Sequence, residues 1–411
     1  MNHTSFFKLL SSRFLYSMAV QIQALVLGWQ MYTLTHSPVY LGLIGLAEAV
    51  PALSLALFSG YLIDRSNPMK MLTFSIVVGL VSASFLWAPH LPGIHLGLKL
   101  QIICLFLSSF LTGISRSFLH PSVFAIVPRI VERSYLPKSS AWMTMAYQTA
   151  SVSGPAIGGL LFGFFGIFTA ASVVVGLTTL SLLGLSLTHF AWTPAPQQPV
   201  RGRFKVELMS GLRFVFKHPL LLPALSLDMI SVLFGGITAL LPIYAAEILF
   251  VGPIGLGWLR AATAIGAGGV SLALTQIEIK KKAGRLLLGS VTGFGVCILV
   301  FAISKNYVLS FGALLLSGMF DSVSAVIRSA LVQLSSPDEL RGRISAVNMV
   351  FISSSNELGE FESGMAAKLL GTVPAAVFGG IVCLLTVGTV TLFSKPLREL
   401  DLSRLRPEET L

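Results

Sequence analysis

Long apolar stretches follow one another along the chain, each interrupted by a few turn-forming or charged residues. They occupy roughly 12–35, 39–63, 69–88, 97–127, 140–164, 166–188, 219–245, 253–276, 284–304, 307–333, 342–371 and 373–394. A helix needs about 20 apolar residues to cross the hydrocarbon of a bilayer, and each stretch is near or above that length. The pattern predicts an all-α membrane protein with twelve transmembrane helices. The fifth and sixth spans are divided only by Gly163-Phe164-Phe165-Gly166. The longest polar interruption, His189 to Pro219, holds Pro194, Pro196 and Pro199, then Arg201, Arg203, Lys205, Arg213 and Lys217. It separates an N-terminal six-helix bundle (1–188) from a C-terminal one (219–394) through a linker over 189–218. Residues 395–411 mix charges and are expected to form a solvated tail.

Composition agrees with this pattern. Residues are 54% hydrophobic and 11% charged, against about 25% charged in soluble globular proteins. That leaves too little charge to cover a soluble surface of this size, which excludes a soluble enzyme. The net charge of +11 would suggest nucleic acid in a soluble chain. Here the cations sit in short segments between apolar runs, where they set orientation. Of 28 Lys and Arg, 22 fall in loops and ends on one side of the predicted membrane, 3 on the other, and Arg116, Arg260 and Arg328 within spans. Excess positive charge marks the cytoplasmic side, so both termini are expected there. Lys8 and Arg13 precede the first span with no small-residue cleavage site after it, so it is expected to be an uncleaved helix. Cys104, Cys297 and Cys383 lie inside apolar runs and offer neither a disulfide framework nor metal spacing. His90 and His95 lack a third ligand nearby, so no metal site is expected.

The halves repeat. Leu111-Thr112-Gly113-Ile114-Ser115-Arg116 matches Leu316-Ser317-Gly318-Met319-Phe320-Asp321, and Gly154-Pro155-Ala156-Ile157-Gly158-Gly159 matches Gly359-Glu360-Phe361-Glu362-Ser363-Gly364, both at an offset of 205. Parallel repeats of six helices suit a secondary transporter whose site lies near mid-membrane.

Three features carry candidate chemistry. The first is the turn Gly60-Tyr61-Leu62-Ile63-Asp64-Arg65-Ser66-Asn67-Pro68-Met69-Lys70. Gly60 would let helices approach, Asp64 can accept from a helix N-terminus, and Arg65 and Lys70 supply cations. Such a cluster can latch a cytoplasmic gate; an ordinary polar turn is the alternative. The second is the helix motif built on Gly154, Pro155, Gly158 and Gly159, where glycines four apart permit tight packing and proline bends the helix. A plain helix–helix contact is the alternative to a substrate role there.

The third is intramembrane charge. Ionisable groups at this depth are costly and face a cavity or each other. At 1.5 Å per residue, Arg116, Asp228, Asp321 and Glu357 fall near mid-membrane. Glu360 shares a helix face with Glu357, and Glu362 points elsewhere. A carboxylate in an apolar cavity holds its proton more readily than in water, so it can load and release one. Fixed pairing, Asp321 with Arg328 or Asp228 with Arg116, is the structural alternative. Gln21, Gln23 and Gln30 in the first span suit either a polar substrate or inter-helix hydrogen bonds.

The pattern Gly60, Leu62, Asp64, Arg65, Lys70 resembles the loop-2/3 signature of the major facilitator superfamily, and the likeness extends over the whole chain. The matching loop after the eighth span, Glu278 to Arg285, lacks the aspartate. Gly154-Pro155 is similar to the signature of the superfamily's antiporters, which implies export. The polar run Ser353 to Gly364, with Ser226-Leu227-Asp228, Leu240 to Ala245 and Gly257 to Ala262, is similar to the branch containing enterobactin-type siderophore exporters and macrolide efflux proteins. The resemblance implies a bacterial inner-membrane exporter working by proton-coupled antiport and alternating access. Asp228, Glu357, Glu360, Asp321, Arg116 and Gln21 would serve proton coupling and the substrate cavity. Its partners would be a siderophore-like small molecule, protons and the lipid bilayer, without nucleic acid. It would act as a monomer, with no cofactor beyond the proton gradient, and an outer-membrane conduit is left open. Macrolide efflux, or import of a metal ion on the same carboxylates, are the alternatives.

Overall fold

Glycine and proline positions decide where helices start, stop and touch. The computed structural model describes residues 3–188, 204–274, 276, 281–337 and 340–404. Among them every regular element is helical: α1 (His3–Thr35), α2 (Pro38–Arg65), α3 (Pro68–Trp87), α4 (Leu98–Ile130), α5 (Leu136–Ser186), α6 (Phe204–Lys217), α7 (Leu221–Gly235), α8 (Leu241–Ile243), α9 (Gly252–Leu274), α10 (Ala283–Ile303), α11 (Tyr307–Ser335), α12 (Arg341–Leu370), α13 (Thr372–Phe393) and α14 (Lys395–Arg398). Eight segments among the described residues are long and apolar enough to cross a membrane. One of them, Arg133–Ser186, has 54 residues, far more than one crossing needs. It breaks at Gly166, whose φ of 77° is left-handed and closed to most side chains. The division expected at Gly163 to Gly166 therefore falls at its last glycine.

The described residues form two compact units, one from Met1–Gln197 with Leu241–Ala261, the other from Gln198–Leu240 with Ala262–Leu411. In the first, Phe6, Leu9, Tyr16, Leu72, Ile76, Leu119, Val123 and Ile126 build the core. Buried polar groups stitch its helices. Gln23 Nε2 donates to Ser82 Oγ at 2.7 Å and Ser108 Oγ at 2.9 Å, and lies 3.1 Å from Thr112 Oγ1. Gln23 is thus an inter-helix tie, as polar residues in lipid often are.

The repeat detected in the sequence returns as equivalent glycine contacts inside each unit. A Cβ on Gly113 of α4 would lie 2.1 Å from Glu48 O of α2, and one on Gly318 of α11 would lie 2.1 Å from Thr263 O of α9. Likewise Gly154 of α5 abuts Gln21 of α1, and Gly359 of α12 abuts Val232 and Leu233 of α7.

Three expectations need correction. The seventh span is not one helix to residue 245. α7 ends at Gly235, Gly236 is extended, and the chain continues through a 3-10 turn (Thr238–Leu240), α8 and a π-helical turn (Tyr244–Ile248). Two successive glycines and Pro242, which lacks an N–H, account for the break. The linker holds helix α6, whose Leu212, Phe214 and Val215 pack on the core of the second unit; residues 189–203 of it lie outside the described residues. The tail is not wholly solvated. Leu397, Leu400 and Leu402 are buried in that core, and Gly284 N–H of α10 donates to Leu400 O at 3.2 Å. Residues 405–411 lie outside the described residues.

His218 joins α6 to α7. Its Nδ1 accepts from the N–H groups of Leu220 and Leu221, both at 3.2 Å, capping α7 with a neutral imidazole. The side chain is buried, and burial pushes its pKa below the ordinary 6.5. Protonation would charge a buried ring and abolish the cap. The stabilisation is therefore complete above pH 6.5 and is lost as pH falls through the lower folded-state value. Acidification from pH 7.5 to 5 is expected to lower the melting temperature of the wild type more than that of His218→Asn, whose amide caps at any pH. Equal slopes in a detergent melting series would remove this assignment.

Candidate functional site

α7 and α11 bring the deepest charges of the second unit together. Asp228 follows the apolar run Leu220 to Leu227 on α7 and is 7% exposed, and Arg328 of α11 is 6% exposed. Arg328 Nη1 donates to Asp228 Oδ2 in a buried ion pair. Its Nε lies 3.3 Å from Ser324 Oγ, one turn earlier. Asp321 stands seven residues before Arg328, two turns along one helix face. It lines the same pocket as Asp228, together with Ser231, Ser324 and the apolar walls Val232, Val291, Phe294 and Phe320. The water-accessible space there is about 10 Å³, room for about one water molecule.

Two carboxylates thus line a small pocket with apolar walls, and one guanidinium pairs with one of them. One guanidinium balances one carboxylate, so the pair is nearest neutrality when the other carboxylate carries a proton. That arrangement can hold and exchange a proton. It can also hold the helices together, because breaking a buried ion pair on one side is costly.

The remaining predicted residues separate. Arg116 of α4 pairs with Glu48 of α2, and the ion pair of Arg328 is with Asp228 rather than with Asp321. The fixed pairings named as the structural alternative, Asp321 with Arg328 and Asp228 with Arg116, are corrected accordingly, although Arg328 stays within electrostatic reach of Asp321. Gln21 donates to Ser151 Oγ at 3.2 Å, tying α1 to α5. Glu357 is buried and Glu360 half-buried on α12, and neither lines the Asp228–Asp321 pocket. Both have interactions within the protein.

The helix motif on α5 packs in two directions. Gly154 and Gly158 receive Gln21 and Ile22 of α1, while a Cβ on Gly159 would lie 2.6 Å from Pro253 O and 3.0 Å from Gly257 Cα of α9. Pro155 O is 2.5 Å from a Cβ built on Gly257. The loop motif is a tight turn in which Asn67 Oδ1 accepts from Met69 N–H at 2.9 Å and caps α3. Arg65 and Lys70 are exposed there, and Arg65 has an interaction partner. No described atom comes within 4 Å of a Cβ on Gly60. The Asp64 side chain lies outside the described residues.

Arg328 and Glu48 belong to these charge centres; the sequence offers Arg328 only as a fixed partner for Asp321, and Glu48 is not among the proposed site residues. The seven-residue spacing from Asp321 was a legible signal for Arg328. Glu48 carried none, since its partner lies 68 residues away on another helix.

All-helical among the described residues, with repeated halves and buried charges near mid-span, the chain has the build of a multi-pass membrane transporter. Comparison with known proteins agrees. The chain matches the transmembrane secretion effector family of the major facilitator superfamily over residues 1–411, and it belongs to that family. It is similar to the enterobactin exporter EntS of Citrobacter koseri, with 24% identity over 408 residues, covering 96% of this chain and 94% of that protein. The enterobactin exporter EntS of Salmonella choleraesuis is 23% identical over 405 residues, covering 95% and 94%. Among solved structures, the peptide transporter POT in complex with sulfate aligns with a TM-score of 0.75 at 13% identity, over 97% of this chain and 95% of that one. The nucleoside transporter NupG aligns at a TM-score of 0.71 and 11% identity, over 94% and 99%. These structures share the fold.

Proposed function

We propose that the protein is a proton-coupled exporter of a siderophore or a similar amphipathic small molecule in a bacterial inner membrane. The observation that carries the proton part is the Asp228–Arg328–Asp321 centre, two carboxylates lining one tight pocket and a single guanidinium paired with Asp228. The similarity to enterobactin exporters along nearly the whole chain supports the direction and the substrate class. In this reading the chain makes twelve crossings. The eight apolar segments are joined by α1, α9 and α12, and the long segment crosses twice about Gly166. Both termini face the cytoplasm, as the basic loops favour. Residues 1–188 and 219–394 form the two bundles, 189–218 the linker and 395–411 the tail.

The cycle needs no bound cofactor, because the proton gradient drives it. Outward exposure protonates the acidic pair and favours substrate release, and the return inward delivers the proton to the cytoplasm. A proton on either carboxylate removes the surplus negative charge, so the proton and the conformational step are linked through one pocket. Glu357 and Glu360 remain candidates for the substrate cavity, and Asp64, Arg65 and Lys70 for the gate.

The substrate class is tested in inside-out vesicles with an acid interior, by accumulation of an iron-free siderophore panel and, separately, a macrolide panel. Saturable siderophore accumulation that collapses with the gradient is expected. Accumulation of macrolides alone would move the assignment to drug efflux, and silence from both panels would sink it.

A further inference from the structure

A second polar centre lies wholly within the first unit and has the opposite sign. Two hydrogen bonds register its three helices: Tyr16 of α1 with Ser115 of α4, and Gln21 of α1 with Ser151 of α5. Arg13 lies three residues before Tyr16, Arg116 directly follows Ser115, and Tyr147 lies one turn before Ser151. His120 follows Arg116 by one turn, on the same face of α4. His120 is within electrostatic reach of both Arg13 and Arg116, and Arg13 within reach of Tyr147. This face is open: His120 is exposed, Tyr147 is 42% exposed, and the Arg116 side chain is 40% exposed.

The charges do not cancel. Glu48 answers Arg116, but Arg13 has no carboxylate partner among the described residues, and its buried Nε makes no hydrogen bond. An unanswered guanidinium beside a span is costly against lipid and is stable where it faces water or an anion. A planar guanidinium fork matches the paired oxygens of a carboxylate or catecholate, and the adjoining phenol ring offers an apolar face for an aromatic group.

We propose that Arg13 and His120, with Arg116, bind an acidic group of the transported molecule, and that Tyr147 lies against its ring. The inference deepens the exporter reading and rests on it only for the statement that the ligand is transported. It assigns the substrate as an aromatic acid in its ionised form. Import of simple cations finds no support on this face.

The test uses the purified full-length protein in detergent. Binding of 2,3-dihydroxybenzoate, iron-free enterobactin and erythromycin is followed for the wild type, Arg13→Gln, Arg13→Lys and His120→Gln. Arg13→Gln should weaken both acidic probes by roughly tenfold or more, the loss of one charge-assisted hydrogen bond. Arg13→Lys should recover most of that loss, His120→Gln should weaken the acidic probes more mildly, and any erythromycin binding should be unchanged. Acidic probes that bind Arg13→Gln as tightly as the wild type, or that fail to bind the wild type, would overturn the proposal. Arginine-dependent binding of dihydroxybenzoate without any siderophore accumulation in vesicles would uphold the acid site and remove the siderophore reading. Unaltered siderophore accumulation by Arg13→Gln and His120→Gln would do the reverse.

Discussion

Arg328→Met is expected to destabilise the protein by about 3–5 kcal/mol, the usual consequence of stranding one partner of a buried ion pair. The guanidinium is 6% exposed and pairs with Asp228, and Asp321 occupies the same pocket. Without it, two carboxylates face each other with no internal cation, and one or both must take up a proton to remain buried. The double variant Asp228→Asn/Arg328→Met should regain most of the lost stability, because replacing a whole buried pair by neutral groups is often neutral or better. It should not regain transport if the pair exchanges the proton. Melting temperature and substrate flux on the same preparations separate these outcomes. Recovery of both would make the centre a structural clasp with no part in coupling.

The second large effect lies in the glycines that define the repeat. Gly113→Ala and Gly318→Ala each place a methyl group 2.1 Å from a backbone carbonyl oxygen on the neighbouring helix. Neither oxygen can swing aside as a side chain would, so the helices must part. Overpacking of this kind costs about 1–3 kcal/mol and occasionally more. The Gly113 change also displaces Glu48, whose carboxylate answers Arg116, so it should disturb the ion pair as well. Gly60→Ala, which meets open space among the described residues, serves as the control and should melt with the wild type. Similar melting temperatures for all three variants would contradict the contacts described.

Much of the fold was legible because a bilayer imposes a length. α3, α10 and α13 begin and end within about a residue of the apolar runs that predicted them, since hydrocarbon thickness sets both. Gly166 was also readable, as a glycine inside a run too long for one crossing. The failures came where local chemistry competed with hydropathy. Residues 236–248 are apolar enough to continue α7, yet Gly235-Gly236 and Pro242 break it. The charged tail concealed Leu397, Leu400 and Leu402, which have enough apolar surface to stay with the core.

The candidate site was legible as a set of costly charges, but not as pairs. Depth placed Asp228 and Arg116 at a similar level, which says nothing about which helix faces which. Helix packing determines that Asp228 meets Arg328 and Arg116 meets Glu48. The α5 motif reads both as helix packing and, by resemblance, as an antiporter signature; Gly154, Gly158 and Gly159 each make close inter-helix contacts. Arg13 was counted only as a topological charge. Its unbonded Nε becomes informative once α1, α4 and α5 are seen together.

The most direct test of the central claim is proton release from acid-loaded inside-out vesicles on addition of iron-free siderophore, compared for the wild type, Asp228→Asn and Asp321→Asn. The account predicts prompt, siderophore-dependent alkalinisation of the vesicle interior in the wild type, lost in Asp228→Asn and reduced or lost in Asp321→Asn, with each variant still folded. Siderophore-dependent proton release at the wild-type rate in both variants would contradict it and place the coupling proton outside the Asp228–Arg328–Asp321 pocket.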